Sequence, residues 1–157
     1  MAESICRIRI NGEEKQYPKG AYFQDIVAEY QGQYQDDIVL VLFNNRLREL
    51  SRKAKTDGEL SFVTTKDKDG RKAYRRSMSL LMQRAIYNLA KADGKHVSVR
   101  IEHSISQGYF CELKGETEAP DEAYLLRLRE EMVRLSEERI PIRKESISTD
   151  EALALFH

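Results

Sequence analysis

Residues 74–90 read YRRSMSLLMQRAIYNLA, and residues 103–113 read HSISQGYFCEL. Apolar side chains of the first segment recur at helical spacing: Met78, Met82, Ala85 and Leu89. This spacing predicts a buried helix, and Gly94 is its stop signal. In the second segment Gly108 interrupts an apolar and aromatic run that is typical of a β-strand, which predicts a bulge or a close backbone approach there.

These two segments resemble the core of the editing domain of threonyl-tRNA synthetases. In that family a helix carrying His-x-x-x-His precedes an Ile-x-x-Gly-aromatic-aromatic-x-Asp strand, and the two histidines lie one turn apart so that both can bind zinc. The matching positions here are Arg76 and Leu80. Arginine stays protonated and leucine has no donor atom, so neither can bind the metal. The resemblance therefore implies the fold of an editing domain without its metal ligands.

Residues 1–65 carry the pattern of a mixed sheet crossed by one helix. Cys6, Ile8 and Ile10 share one face of a predicted strand, and Asn11-Gly12 predicts the hairpin turn after it. A helix is predicted by four apolar residues on one face: Phe23, Ile26, Val27 and Tyr30. Residues 38–43 form an apolar run that predicts a strand covered on both faces. Turns and strands then follow at Asn44-Asn45, Leu47 to Leu50, and Leu60 to Thr64.

This order of elements predicts a β-grasp fold. The region resembles the TGS domain, a ubiquitin-like module found in threonyl-tRNA synthetases, certain GTPases and stringent-response enzymes. The matching motifs are IRING at residues 8–12, FNNRLREL at 43–50 and DGEL at 57–60. The predicted fold class is therefore α+β, a β-grasp TGS domain followed by an incomplete α+β editing-like domain.

The chain is predicted to divide at a charged linker. Residues 66–72 read KDKDGRK, which separates a TGS domain at 1–65 from an editing-like domain at 73–157. Within the second domain we expect a strand at 96–101, a polar turn at 115–118 and a short strand at 140–143. Pro120-Asp121 is predicted to open a helix with one apolar seam: Leu125, Leu128, Met132 and Leu135.

Ser148 and Glu151 have the spacing of a capping box, which predicts the start of another helix. Only about two turns remain before His157, so we expect the chain to be a piece of a longer protein, truncated within its second domain. In the synthetases a later Cys-x-x-x-His ligand pair follows, and it would fall beyond His157.

Composition limits the other function classes. No apolar run reaches the roughly 20 residues of a membrane span, and no signal peptide is apparent, so we expect a cytoplasmic protein without a membrane partner. Cys6 and Cys111 lie in predicted strands and are expected to be buried, reduced thiols.

Net charge is zero, yet residues 66–95 carry 9 Lys and Arg against 3 Asp and Glu. Such a segment can attract phosphates, but without an aromatic platform beside it we favour a solvated helix face.

Four residues are the candidate ligand-binding side chains: Arg76, His103, Tyr109 and Glu112. Arg76 replaces a metal ligand of the resembling family with a fixed positive charge that suits a phosphate or carboxylate. His103 lies at the strand that lines the family's cleft, where an acid–base role and a structural hydrogen bond to the backbone are both open, with the structural role favoured. Glu112 stands at the family's acidic position, and Cys111 replaces one of its aromatics.

The sequence also resembles a second family, the uridine kinase-like nucleoside kinases, in which a TGS domain and an editing-like domain without zinc histidines precede a P-loop kinase. This chain contains no Gly-x-x-x-x-Gly-Lys-[Ser/Thr] loop, so ATP and Mg²⁺ would belong to a downstream kinase domain. The resemblance therefore implies the non-catalytic N-terminal region of a uridine kinase-like protein, with a regulatory or ligand-binding role and with no cofactor or metal of its own. The alternatives are a divergent threonyl-tRNA synthetase fragment that binds or edits aminoacyl-tRNA, and an interaction module for a small nucleotide, RNA or protein.

Overall fold

A β-hairpin begins the fold. In the computed structural model, β1 (Ile5–Ile10) pairs antiparallel with β2 (Glu13–Pro18). The even-numbered residues of β1 are buried and the odd-numbered ones are exposed, as predicted. Asn11 and Gly12 form the turn with φ angles of 52° and 87°, which suit a tight hairpin between twisted strands. The structure describes residues 4–106, 108–115, 120–140 and 145–156.

Three more strands and one helix complete a mixed sheet. The elements are α1 (Phe23–Tyr30), a 3₁₀ turn (Gln31–Gln33), β3 (Ile38–Phe43), β4 (Arg46–Glu49) and β5 (Gly58–Thr64). The strand order is β2-β1-β5-β3-β4, in which only β1 and β5 run parallel. All four apolar residues predicted for the inner face of α1 are buried. The α+β class is confirmed, and the sheet has the arrangement of a β-grasp.

The predicted strand β3 is covered unequally on its two faces. Ile38, Val41 and Phe43 belong to the core under α1, whereas Leu40 and Leu42 on the opposite face are half-buried. Asn44 and Asn45 form the predicted turn with φ angles of 49° and 60°.

The long helix α2 (Lys68–Ala92) starts earlier than the sequence predicts, because residues 68–72, expected to be a linker, form its first turns. The Asp67 carboxylate accepts hydrogen bonds from the Thr64 backbone N–H and hydroxyl at 2.7 and 3.0 Å. Gly70 is buried so close to β5 that a Cβ atom there would lie 1.8 Å from the Thr64 carbonyl oxygen. The helix therefore follows β5 directly. The chain divides into two units, Met1–Leu80 and Leu81–His157, and the boundary falls within α2.

The second unit begins with the end of α2. Gly94 adopts φ 67°, its N–H donates to the Lys91 carbonyl at 3.3 Å, and the N–H of Lys95 donates to the Ala90 carbonyl at 2.8 Å. This Schellman motif confirms Gly94 as the stop signal. The remaining elements are β6 (Ser98–Ile105), β7 (Gly108–Lys114), α3 (Glu122–Glu137) and α4 (Thr149–Phe156).

Several predictions for this unit need correction. Residues 103–113 form parts of two strands, because β6 ends at Ile105 and Ser106 turns the chain with φ 52°. The bulge lies between Ile101 and His103 and not at Gly108. Pro120 precedes the helix that it was expected to join, since Asp121 is the cap and α3 starts at Glu122.

The predicted seam of α3 is also partly wrong. Leu135 is buried and Leu128 and Met132 are half-buried, but Leu125 is 54% exposed, and Tyr124 is the half-buried residue at that turn. The regular spacing of apolar residues predicted that Leu125 would lie on the packed face of the helix, but the packed face includes Tyr124 in its place.

Two further predictions concern the end of the chain. The capping box is confirmed: the Ser148 N–H donates to the Glu151 carboxylate at 2.8 Å, and the Glu151 N–H donates to the Ser148 hydroxyl at 3.2 Å. The predicted strand at 140–143 lies outside the described residues except for Ile140, which is not in a strand. No helix in the described part of the chain is both long enough and apolar enough to cross a bilayer.

Candidate functional site

The β6–β7 hairpin carries three of the four predicted site residues. Its register pairs His103 with Phe110, Ser104 with Tyr109, and Arg100 with Glu112. The bulge after Ile101 adds one residue to β6 relative to β7, so the side chains of β6 exchange faces at that point.

The bulge decides which predicted residues share a face. Directly paired residues point to the same side of a sheet, and alternate residues of β7 do so as well. His103, Phe110 and Glu112 therefore lie on one face, and Arg100 lies on it too because it pairs with Glu112. We call this face, with its four residues, the hairpin surface. Tyr109 lies on the opposite face with Cys111. The structure thus brings His103 and Glu112 together and separates Tyr109 from them.

An aromatic pair forms the centre of the hairpin surface. The rings of His103 and Phe110 stack with their centroids 5.5 Å apart and an interplanar angle of 25°. The Phe110 side chain is 48% exposed, and His103 is exposed as well. Two stacked and accessible rings offer an area on which another planar group can stack. The sequence did not reveal this pair, because the register of His103 depends on the bulge.

Charged groups flank the aromatic pair on the same strands. Arg100 Nε lies 2.9 Å from a carboxylate oxygen of Glu102, and Lys114 Nζ lies 4.0 Å from a carboxylate oxygen of Glu112. The side chain of Glu112 is 50% exposed. Exposed ion pairs of this kind are weak, so the Glu112 carboxylate can exchange its partner for a ligand donor. The hairpin surface can therefore stack a planar ring and accept hydrogen bonds from it.

Arg76 belongs to the other unit, on the first half of α2. It lies one helical turn before Leu80, and both side chains are exposed, Leu80 by 48%. These two side chains do not fit the zinc ion that the sequence resemblance associates with the helix, since they supply no metal donor. In the described ranges no group of three or more His, Cys, Asp and Glu side chains is arranged to hold a metal ion.

Polar links between α2 and α3 were not predicted from the sequence. The Glu131 carboxylate accepts from Asn88 Nδ2 at 2.7 Å and from Arg134 Nε and Nη2, each at 2.7 Å. Hydrogen bonds from Arg134 and then Asn88 lower the pKa of Glu131 from its ordinary 4.5 to about 2. Asn88 lies 43 residues from Glu131 in sequence, and no local pattern indicates such a pair.

A second link closes the side of a small cavity. Arg127 Nη2 donates to the Asp93 carboxylate at 2.8 Å, and this bond lowers the pKa of Asp93. The cavity has a volume of about 270 Å³, and its lining includes Ala90, Asp93, Val97, Leu113, Tyr124 and Arg127. Because Val97 precedes β6 and Leu113 lies in β7, the cavity lies between the base of the hairpin and the two helices.

The thiols differ from the prediction in one respect. Both cysteines are free, and Cys6 is buried as expected. Burial raises the pKa of the Cys6 thiol, which keeps it protonated and unreactive. Cys111, predicted to be buried, is only half-buried.

No model of a known protein family matches this sequence. The chain is similar to the threonine–tRNA ligase of Thermotoga neapolitana, at 27% identity over 146 residues, and to that of Syntrophomonas wolfei, at 24% over 147 residues. The corresponding ligase of Thermotoga maritima is 27% identical over 146 residues. Each similarity covers 93% of this chain but only 22% of the ligase. The chain thus spans about a fifth of the length of these relatives.

Proposed function

We propose that this chain is a TGS and editing-like region related to threonine–tRNA ligases, and that it binds a ligand without zinc-dependent hydrolysis. The observation that carries this proposal is the chemistry of α2. Its positions 76 and 80 correspond to the zinc histidines of the family that the sequence resembles, but they hold a guanidinium and a hydrocarbon, both exposed. Zinc lowers the pKa of a bound water to about 7, and without such a centre hydrolysis needs another source of nucleophile.

The ligand that fits the hairpin surface best is a nucleoside. The stacked rings of His103 and Phe110 match the flat face of a base, for which stacking on an aromatic side chain is worth about 1–3 kcal/mol. The Glu112 carboxylate can accept hydrogen bonds from an exocyclic amino group or a ribose hydroxyl. Such a nucleoside could belong to the 3′ end of a tRNA or to a free nucleotide, and both share this recognition chemistry.

Metal content and hydrolysis test the first part of this proposal. We expect the purified chain to contain less than stoichiometric zinc and to leave mischarged aminoacyl-tRNA intact. A designed comparison is the double variant Arg76→His/Leu80→His, which restores two imidazoles one turn apart and should gain zinc affinity. Stoichiometric zinc in the unaltered chain, or catalytic deacylation by it, would show the proposed function to be wrong.

Binding of a nucleotide tests the second part. In an NMR titration with AMP, we expect shifts centred on Arg100, His103, Phe110 and Glu112. His103→Ala should weaken this binding about tenfold, because a stacking contact of about 1.4 kcal/mol corresponds to that factor. His96→Ala is the matched control, since His96 precedes β6 and lies outside the hairpin surface. Equal losses in both variants, or shifts elsewhere only, would contradict the assignment.

A nucleoside kinase is the second candidate for the parent protein. The lack of metal-ligating side chains at positions 76 and 80 favours a kinase parent. The similarity to threonine–tRNA ligases favours a synthetase-like parent. In the kinase case ATP and Mg²⁺ would be bound by a downstream domain and not by this region. Reading the coding sequence beyond codon 157 distinguishes the two parents, because a P-loop and a synthetase core are easily told apart.

A further inference from the structure

The first half of α2 presents a row of cations. Between residues 68 and 76 five basic side chains project from the helix, and all are exposed: Lys68, Arg71, Lys72, Arg75 and Arg76. At 100° per residue these positions fall within an arc of about 140°, with neighbours one turn apart and about 5–6 Å between Cβ atoms. The opposite side of the helix holds the buried Gly70 and the half-buried Ala73. We call this arc the basic strip.

The nearby carboxylates do not neutralise the basic strip. Asp67 is held by two hydrogen bonds from Thr64, which lower its pKa and keep its charge beside β5. Asp69 lies 3.5 Å from Lys72 and is the only acidic residue of α2. In the described ranges no carboxylate comes within 4 Å of the charged groups of Lys68, Arg75 or Arg76. Most of the positive charge is therefore open to a partner.

We propose that the basic strip binds the phosphate backbone of a nucleic-acid duplex without reading its bases. Cations repeated along one helix face match a partner with regularly spaced phosphates, and arginine can bind phosphate with two hydrogen bonds. The exposed aromatic nearest in sequence, Tyr74, lies about 60° outside the edge of the strip at Arg71, so the strip itself contains only cations. Binding through charge alone is strongly salt-dependent and independent of sequence. The site lies in the first unit and rests on the charge pattern, not on the nucleoside proposed for the hairpin surface.

Fluorescence anisotropy of the full chain with labelled 20-base-pair duplexes tests this site. The probes are two unrelated DNA sequences and an RNA duplex, each titrated between about 50 and 300 mM NaCl. Five phosphate contacts predict a slope of about −4 to −5 in a plot of log K against log salt, at roughly 0.9 per contact. The two DNA sequences should bind within about twofold of each other.

Matched charge changes locate the contact. Lys68→Gln/Arg75→Gln removes two cations from one line of the basic strip and should reduce the slope by about 1.8. If both proteins bind equally at 1 M salt, this makes the variant bind about 60-fold more weakly than the unaltered chain at 0.1 M. Arg46→Gln/Arg48→Gln removes the same charge from exposed positions on β4 and should leave the slope within about 0.3 of the unaltered chain. Glutamine keeps a good helix propensity, so α2 should remain intact in the first variant.

Three outcomes would overturn the site. These are equal losses in both double variants, a preference above about tenfold for one DNA sequence, and binding to long-chain polyphosphate without binding to either duplex. Zinc binding or deacylation by the chain would contradict the proposed function but would leave this result unchanged, so the two failures can be distinguished.

Discussion

The two units of this chain are stabilised in different ways. In the first unit thirteen apolar residues of β1, β2, β3, β5, α1 and the loop at Ala54 form one buried cluster, in which the rings of Phe23 and Phe43 lie 5.2 Å apart. In the described part of the second unit only Ala85, Ile86, Ala90 and Leu135 are buried. Many large apolar side chains there are about half exposed, including Leu125, Leu126 and Val133 of α3.

The contrast shows where each fold obtains its stability. A closed cluster of large apolar side chains removes much area from water and stabilises the sheet of the first unit. The described part of the second unit buries few apolar side chains, and hydrogen bonds at Asn88–Glu131 and Asp93–Arg127 link α3 to the end of α2 and the residue after it. A substitution in the apolar core should therefore reduce the stability of the first unit most. A change in the charge of a linking side chain should reduce the stability of the second unit most.

Removal of a core ring in the first unit should have the largest effect. Phe23 is 1% exposed, so Phe23→Ala leaves a cavity and should cost about 3–5 kcal/mol. Leu126→Ala, at a residue 54% exposed on α3, should change stability by about 0.5 kcal/mol or less. Urea unfolding followed by NMR of backbone amides in each unit measures both values. Similar losses of unfolding free energy in the two variants would contradict the proposed difference between the two units.

The same contrast explains what the sequence could and could not predict. The inner face of α1, the Asn11-Gly12 turn and the capping box at Ser148 depend on local spacing, and all three were predicted correctly. The turn at Ser106 was missed because Ile105 before it and Tyr109 and Phe110 after it resemble one apolar and aromatic strand. The exposed Leu125 was assigned to the core because leucine spacing alone cannot show which face of a helix finds a partner.

The candidate site was predictable only in part. Residue types at positions 103 and 112 indicated a ligand-facing strand, but their common face depends on a bulge that no residue of the sequence marks. Phe110 was therefore overlooked, and Tyr109 was grouped with residues on the opposite face. Long-range pairs such as Asn88–Glu131 follow from packing and leave no local pattern.

The close approach of α2 to β5 gives the next largest effect. Gly70→Ala would place a Cβ atom 1.8 Å from the Thr64 carbonyl oxygen, a backbone atom that cannot rotate away. We expect a loss of about 2–3 kcal/mol in the first unit, since overpacking forces the backbone to shift. Gly32→Ala is the control, because its added Cβ meets no atom within 4 Å and should be nearly neutral. Amide exchange in β5 and in the first turns of α2 reports the difference, and unchanged protection in Gly70→Ala would argue against this packing.

Acid should weaken the second unit through Glu131. Its folded pKa of about 2 lies below the ordinary 4.5, so its contribution is fully present above about pH 4.5 and is lost as the pH falls towards 2. Because Arg134 is half exposed, screening reduces the effect, and we expect a loss of about 1–2 kcal/mol over this range. Glu131→Gln should flatten the pH dependence, whereas Glu137→Gln should not. Protection of the α3 amides from exchange at pH 3 and pH 6 measures this loss of stability. An equally steep pH dependence in Glu131→Gln would assign the loss to other carboxyl groups.

The smallest predicted effect concerns the cap of α3, and it tests whether the second unit depends on polar contacts even at its edge. Asp121 accepts a hydrogen bond from the Tyr124 N–H at 2.7 Å, which satisfies one of the free amide groups at the start of the helix. Asp121→Ala removes the acceptor and should cost about 1 kcal/mol, whereas Asp121→Asn keeps an acceptor oxygen and should restore most of that loss. Faster amide exchange confined to the first turn of α3 is the expected signature. If alanine and asparagine destabilise α3 equally, the carboxylate acts through its charge at the positive end of the helix dipole and not as a hydrogen-bond acceptor.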